Sequence, residues 1–172
     1  MNQKTKLNLG LVFGFFLTIG LDQWTKFLAV KHLMNRPAYS ILNGVFELLY
    51  SENRGAAFGI LQGRQVFFLL IALIVLSAAV YAVSRMPANK KYLPLHLIAM
   101  FLSAGAVGNM IDRFIRGYVV DFLYFKLIDF PIFNVADCYV TVSMFIFLLL
   151  FLFYYKEEDL SCLAFRKKEE QK

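Results

Sequence analysis

The sequence predicts an all-α membrane protein with four transmembrane helices, a small β-sheet at the outer face and both termini in the cytoplasm. Three observations support this fold class: an apolar composition, four long apolar runs, and turn residues in the connectors. Of the 172 residues, 59% are hydrophobic and 17% are charged, whereas soluble domains usually carry about 25% charged residues. We expect one domain across residues 1–172, because four spans leave no room for a separate soluble domain.

Four apolar runs are long enough to cross a bilayer as helices, which takes roughly 20 residues each. The first covers about residues 7–28 and is interrupted by Asp22 and Lys26. Its positively charged start is typical of a signal peptide, but the run is too long and no small-residue cleavage site follows. We therefore predict a retained helix. The other three spans are predicted at about residues 66–83, 93–111 and 138–155.

The connector after the first span, about residues 29–65, contains a hairpin signal. Residues 39–42 and 45–50 flank Asn43-Gly44, a two-residue turn that favours a β-hairpin. We expect this hairpin to form a small sheet that lies on the membrane surface.

The basic residues lie at helix ends and in connectors, so membrane topology explains the net charge of +6 without a nucleic-acid partner. The short connector of residues 85–91 holds three cations and no acid. The positive-inside rule places this connector, and with it both termini, in the cytoplasm. The connector carries most of this signal, because further lysines and arginines lie on the other side.

Polar residues from several separate segments are predicted to meet at the outer membrane face. They are Asp22, Asn53, Asn109, Asp121, Asn134 and Asp137. Ionisable residues near spans usually face a bundle interior or a cavity and mark function. Arg113 shares a helical face with Asn109, four residues earlier, so the two can present donors to a substrate backbone or to a lipid headgroup.

Several charged residues have an ordinary structural explanation. Asp22 and Lys26 are four residues apart on one helical face and can form an ion pair, so structure and binding both stay open for Asp22. Asp112 and Arg116 have the same spacing, and there the pair is the favoured interpretation. Asp129 has no surrounding motif and is predicted to be a solvated loop charge.

Asp121 and Asp137 differ from these residues. Asp121 has apolar flanks with no basic residue three or four positions away, and Asp137 opens a long apolar helix. A carboxylate is favourable at a helix N-terminus, which is the structural explanation for Asp137. If the two carboxyl groups meet in a partly dry site, they share a proton. Such a pair can take a proton from water and give one to a leaving amine.

The sequence lacks the motifs that other classes of hydrolase use. It contains neither the H-E-x-x-H motif of zinc proteases nor the G-x-S-x-G motif of serine hydrolases. Cys138 has no histidine near it in sequence, and a membrane thickness separates it from Cys162, so the two cannot form a disulfide. His32 and His96 stand alone and are predicted to be structural. We therefore expect carboxylate chemistry without a metal or another cofactor.

Five short blocks follow one another from the first predicted helix to the fourth. They are DQWTK (22–26), ENRGAAFG (52–59), GAVGNMIDR (105–113), GYVVDF (117–122) and FNVAD (133–137). In this order they resemble the lipoprotein signal peptidases, the type II signal peptidases of bacteria. The resemblance implies that Asp121 and Asp137 form the catalytic dyad of an aspartyl endopeptidase. Further positions that match the family's substrate-binding site are Asp22, Asn53, Asn109, Arg113 and Asn134.

The resemblance also implies a substrate and a location. The family cuts the signal peptide from a prolipoprotein just before a cysteine that carries a diacylglyceryl group. The expected location is the bacterial cytoplasmic membrane, among membrane lipids, with the active site at the outer face. The alternative is a small proton- or cation-coupled transporter that uses the same carboxylates as a relay. A relay needs polar residues through the full membrane thickness, which residues 66–83 and 139–155 do not offer.

Overall fold

The computed structural model describes residues 1–55 and 63–163. Within this range, four helices are long and apolar enough to cross a membrane. They are α1 (Gln3–Leu33), α2 (Gln65–Arg85), α3 (Leu93–Arg116) and α4 (Val135–Phe153). The prediction of four long apolar helices is confirmed, although α1 and α3 extend about five residues beyond the predicted ends of their apolar runs. Both extensions carry basic residues in the last helical turn, where cations interact favourably with the helix dipole.

The central helix is α3, because α1, α2 and α4 each pack against it. Its middle contains a run of small buried residues, Ser103, Ala104, Gly105 and Gly108, which lets the neighbouring backbones approach closely. By contrast, α2 buries only Ala72 among its residues. The exposed apolar faces of α2 and α4 are the surfaces that lipid covers in a spanning bundle.

A three-stranded antiparallel sheet lies at one end of the bundle. Its strands, in spatial order, are β1 (Tyr39–Leu42), β2 (Phe46–Asn53) and β3 (Val119–Tyr124). The predicted hairpin is confirmed: the Val45 N–H donates to the Leu42 carbonyl, and Gly44 has a φ of 72°, which glycine adopts at little cost. The third strand was not predicted. It follows α3 directly, since Gly117 ends that helix with a φ of 80° and turns the chain back along β2.

The other end of the bundle holds the first and the last described residues. The Lys4 ammonium donates to the Ser84 carbonyl at the end of α2, over 3.0 Å. Beyond α4, the Tyr155 hydroxyl donates to the carbonyl of Lys91 over 2.6 Å. The short helix α5 (Glu157–Leu160) follows, and its Asp159 pairs with Lys91. The chain therefore enters and leaves the bundle on the side opposite to the sheet.

Candidate active site

The start of α4 is built by a reciprocal hydrogen-bonded cap. The Asp137 N–H donates to Asn134 Oδ1, and the Asn134 N–H donates to Asp137 Oδ2, each over 3.1 Å. This capping box satisfies two backbone donors that a helix N-terminus otherwise leaves unpaired. The predicted helix-terminal position of Asp137 is confirmed, and its carboxylate is held in a defined direction.

The Asn134 side chain links Asp137 to Asp121, which lies on β3 opposite Ser51 of β2. Asn134 Nδ2 donates to Asp121 Oδ1 over 2.6 Å and to Asn109 Oδ1 over 3.1 Å. Asn109 Nδ2 in turn donates to Asp137 Oδ1 over 2.8 Å. The two carboxyl groups thus belong to one network of hydrogen bonds.

Asn53, the last residue of β2, completes this network. Its Nδ2 donates to Asp121 Oδ2 over 2.9 Å, and its Oδ1 accepts the Gly55 N–H over 2.9 Å. Each of the four carboxylate oxygens of the pair therefore accepts one N–H from an asparagine. Hydrogen bonds of this kind stabilise the charged form of a carboxyl group.

Asp121 is buried, with only 2% of the residue exposed. Burial raises its pKa to about 7, and the charge of Asp137 contributes to the rise, while the hydrogen bonds from Asn53 and Asn134 oppose it. A carboxyl group with such a pKa retains its proton in much of the population at neutral pH. The pair can therefore hold one acid and one base at the same time.

The carboxyl groups open into a cavity of about 690 Å³. Its polar lining is formed by Asn53, Asn109, Arg113, Asp121, Asp137 and Thr141, with Cys138 next to Asp137. Its apolar lining is formed by Phe68, Val119, Phe125, Ile128, Phe130, Pro131, Ile132, Phe133 and Val142. Most of this apolar wall comes from the segment 125–133 between β3 and α4, of which only Phe133 belongs to a block recognised in the sequence. The cavity thus combines two carboxyl groups with a large apolar surface.

Arg113 connects three elements around this cavity. Its Nη2 donates to the Gly55 carbonyl over 2.9 Å, and its guanidinium carbon lies 4.3 Å from the centroid of the Phe68 ring on α2. Its Nη1 lies 3.4 Å from the Asn109 carbonyl oxygen, in agreement with the predicted shared helical face. Residues 56–59 of the predicted ENRGAAFG block lie outside the described residues.

Asp22 is buried behind the cavity and is not part of its described lining. Its Oδ1 accepts the Ala136 N–H over 2.9 Å, and its Oδ2 lies 2.9 Å from Lys26 Nζ. The predicted ion pair is therefore confirmed, and Asp22 contacts α4 through the backbone next to Asp137.

Asp112 is also fully buried and lies close to two cations. Its Oδ2 is 3.0 Å from Lys26 Nζ, and its Oδ1 is 3.5 Å from Arg116 Nε. The predicted pair with Arg116 exists, but the shorter contact to Lys26 was not predicted, because it joins two helices. Asp112 Oδ2 also accepts the Val120 N–H over 3.2 Å, which ties α3 to β3.

The remaining predictions concern residues away from the cavity. Asp129 is an exposed loop residue as predicted; it accepts a hydrogen bond from the Tyr124 hydroxyl over 2.6 Å. His96 is buried, with its Nε2 3.2 Å from the Pro87 carbonyl oxygen, while His32 is exposed. The two cysteines are free.

Fold and site together define a four-helix membrane protein with a paired carboxyl site at one end of its bundle. The model of the signal peptidase (SPase) II family matches residues 14–153. The chain therefore belongs to the signal peptidase II family, a family of membrane aspartic peptidases.

Relatives and solved structures agree with this family. The lipoprotein signal peptidase of Streptococcus thermophilus (strain CNRZ 1066) is 43% identical over 141 residues, 82% of this chain and 89% of that protein. The lipoprotein signal peptidase of Brevibacillus brevis is 47% identical over 131 residues, 76% and 87% of the two chains. A bacterial membrane enzyme solved by the in meso method at 2.3 Å resolution has a TM-score of 0.74 at 29% identity, covering 92% of this chain and 93% of that one. A second, solved at 1.9 Å, has a TM-score of 0.72 at 30% identity, covering 85% and 94%.

Proposed function

We propose that this peptidase removes the signal peptide from diacylglyceryl-modified bacterial prolipoproteins, cutting just before the lipidated cysteine, with Asp121 and Asp137 as its catalytic dyad. The observation that carries the proposal is the asparagine-linked pair of carboxyl groups that opens into a largely apolar cavity. The relatives named lipoprotein signal peptidase support the substrate class. Neither they nor the family match support the transporter alternative.

The chemistry requires one ionised and one protonated carboxyl group. The carboxylate removes a proton from a water molecule while the water oxygen attacks the carbonyl carbon of the scissile peptide bond. The protonated partner gives its proton to the carbonyl oxygen, which produces a gem-diol. The carboxyl group that took the proton of the water then gives it to the leaving amine as the carbon–nitrogen bond breaks, and the other carboxylate takes back a proton from a gem-diol hydroxyl. Which aspartate holds the proton at the start is a property of the coupled pair.

The other polar residues assist this reaction in two ways. Asn53, Asn109 and Arg113 reach the cavity and bind the substrate backbone beside the scissile bond. Asn134 and Asp22 lie behind the cavity. Asn134 acts through its contacts with the dyad network, and Asp22 acts through its contact with the Ala136 N–H.

The dyad lies at the outer face of the cytoplasmic membrane, and both termini lie in the cytoplasm. The basic connector at the opposite end of the bundle supports this orientation through the positive-inside rule. A peptide bond next to a lipid-anchored cysteine lies at the membrane–water boundary, so the dyad has to lie at the same depth. The apolar wall of the cavity then faces the lipid chains of the substrate, and the exposed faces of α2 and α4 contact membrane lipid.

The decisive experiment is cleavage of a diacylglyceryl-modified prolipoprotein by the purified protein in detergent, with the new terminus identified by mass spectrometry. We expect a single cut before the lipidated cysteine, at the same rate with and without a chelator. The same prolipoprotein without the lipid serves as the control and should be cut far more slowly. Equal cleavage of both forms would refute lipid recognition, and a folded protein that cuts neither would refute the function.

The pH dependence of kcat/KM provides a separate test of the dyad. Because the pKa of Asp121 is raised to about 7, kcat/KM should fall as the pH rises through that region and the shared proton is lost. Asn53→Ala removes a hydrogen bond that favours the charged form of Asp121, so the pKa of Asp121 should rise further. The descending limb should then move to higher pH.

This test uses the midpoint of the descending limb in profiles from about pH 5 to 9, a range that brackets the dyad's raised pKa. The height of the profile is not the readout, because Asn53→Ala also changes substrate contacts. Asp129→Asn, an exposed carboxyl group outside the cavity, is the control and should leave the limb in place. An unchanged limb in Asn53→Ala would show that Asp121 does not set it.

A further inference from the structure

Lys26 is a fully buried cation on α1 with three oxygen partners. Its Nζ lies 2.9 Å from Asp22 Oδ2 and 3.0 Å from Asp112 Oδ2, and it donates to Asn109 Oδ1 over 2.8 Å. An ammonium group has three N–H donors and no acceptor, so these contacts use its full capacity. The two carboxylates compensate its charge, and the third contact leads to the dyad network.

The contact with Asn109 fixes the direction of that network. Because an ammonium group can only donate, the Asn109 atom that faces Lys26 has to be the oxygen. The Asn109 amide nitrogen then faces Asp137 Oδ1, to which it donates over 2.8 Å. The same Asn109 oxygen accepts from Asn134 Nδ2, which also donates to Asp121. Amide hydrogens therefore point at both carboxyl groups.

The other two asparagines are oriented by backbone groups instead. The Gly55 N–H donates to Asn53 Oδ1, and the Asp137 N–H donates to Asn134 Oδ1. Among the described residues, the Asn109 side-chain oxygen has no backbone donor; its partners are Lys26 and Asn134. Lys26 is the charged and the closer of these two donors. Without it, Asn109 can turn over and present its oxygen to Asp137, where only a protonated carboxyl group makes a hydrogen bond.

We propose that Lys26 is a positioning residue for peptide cleavage: its ammonium holds the Asn109 amide in the orientation that keeps an N–H donor on the Asp137 carboxylate. Lys26 is buried and lies outside the described cavity lining, so it acts through Asn109 and touches no substrate. This role rests on the proposed function of Asp121 and Asp137.

The test compares Lys26→Met with the charge-balanced double variant Asp22→Asn/Lys26→Met. The double variant removes one cation and one anion, and it leaves the Asp112–Arg116 pair in place. We expect kcat to fall about 10²-fold, within the range for a lost contribution to acid–base catalysis. The dissociation constant of a non-cleavable lipidated substrate analogue should change by less than about tenfold, the effect of about one lost hydrogen bond, because Asn109 is the one lining residue whose side chain is expected to turn over.

Rates are expressed per molecule that binds the analogue, so a partly misfolded preparation does not distort them. The reference is the unsubstituted protein for Lys26→Met and Asp22→Asn alone for the double variant. Lys126→Met is the matched control: it makes the same chemical change at a half-exposed lysine, whose Nζ lies 2.8 Å from the largely buried Glu47 and which is not part of the cavity lining. It should leave kcat unchanged.

Two results would overturn the proposal. The first is that both Lys26 variants keep a kcat, per molecule that binds the analogue, within about threefold of the reference. Such a change would be too small for a group that supports acid–base catalysis. The other is failure of both Lys26 variants to bind the analogue at all, which would make Lys26 purely structural. Asp121→Asn and Asp137→Asn in the same assay separate this inference from the proposed function. If those two variants still cleave the substrate, the assignment of Asp121 and Asp137 as the catalytic dyad is refuted. If they are inactive and Lys26→Met is not impaired, only the proposed role of Lys26 is refuted.

Discussion

Replacement of either Asp121 or Asp137 by asparagine is expected to lower kcat by at least about 10³-fold, toward the upper range for loss of a general acid or base. Asparagine has nearly the shape of aspartate, but it can neither take a proton from the attacking water nor transfer a proton to the carbonyl oxygen. Its amide group also meets the N–H donors of Asn53, Asn109 and Asn134, which are arranged for carboxyl oxygens. Single-turnover cleavage of the lipidated prolipoprotein measures the effect without interference from product release.

Stability distinguishes this catalytic loss from unfolding. Each substitution removes one of two neighbouring buried acids, whose mutual repulsion disfavours the state with both ionised. The midpoint of thermal unfolding should therefore change little at neutral pH, because the relief of this repulsion offsets the poorer pairing of the new amide group, while cleavage is lost. Asp129→Asn, outside the cavity, should change neither quantity. Cleavage at near the unsubstituted rate by both dyad variants would exclude Asp121 and Asp137 as the catalytic pair.

Apart from the meeting of polar residues from separate segments at one end of the bundle, the features that the sequence predicted correctly are local ones. A run of about 20 apolar residues specifies a spanning helix wherever it occurs, and Asn43-Gly44 specifies a tight turn from two adjacent residues. The spacing of Asp22 and Lys26 predicts an ion pair from the geometry of one helix. Each of these patterns is complete within a short stretch of chain, so no knowledge of the packing was needed.

The features that were missed depend on contacts between distant segments. Strand β3 exists because Gly117 turns the chain back onto β2, and pairing between distant segments leaves little trace in a single stretch of sequence. The contact of Lys26 with Asn109 joins α1 to α3 across 83 residues. Lys126 pairs with Glu47 on β2, 79 residues away in the sequence. The network around the dyad therefore follows from how α1, α3 and α4 pack together, and the small residues of α3 control that packing.

Gly105→Ala is accordingly expected to lower kcat/KM by about 10²-fold, the effect of misplacing a catalytic group by about 1 Å. A Cβ at position 105 would lie 2.6 Å from the Ala136 carbonyl oxygen and 2.7 Å from Val140 Cγ2. The backbone oxygen cannot move without its helix, so α4 has to shift away from α3. Asp137 follows Ala136 directly and would move away from Asn109, which holds its carboxylate from α3.

Gly10→Ala in α1 is the matched control, because a Cβ there meets no atom within 4 Å. Glycine in a helix interior costs about 1 kcal/mol relative to alanine, so this variant should unfold at the same or a slightly higher temperature and keep its kcat/KM. Gly105→Ala gains the same helix propensity, and a loss of activity in it therefore reports the displacement of α4. Unimpaired cleavage by Gly105→Ala would mean that α4 can move without disturbing the dyad, and that the close α3–α4 contact does not set the catalytic geometry.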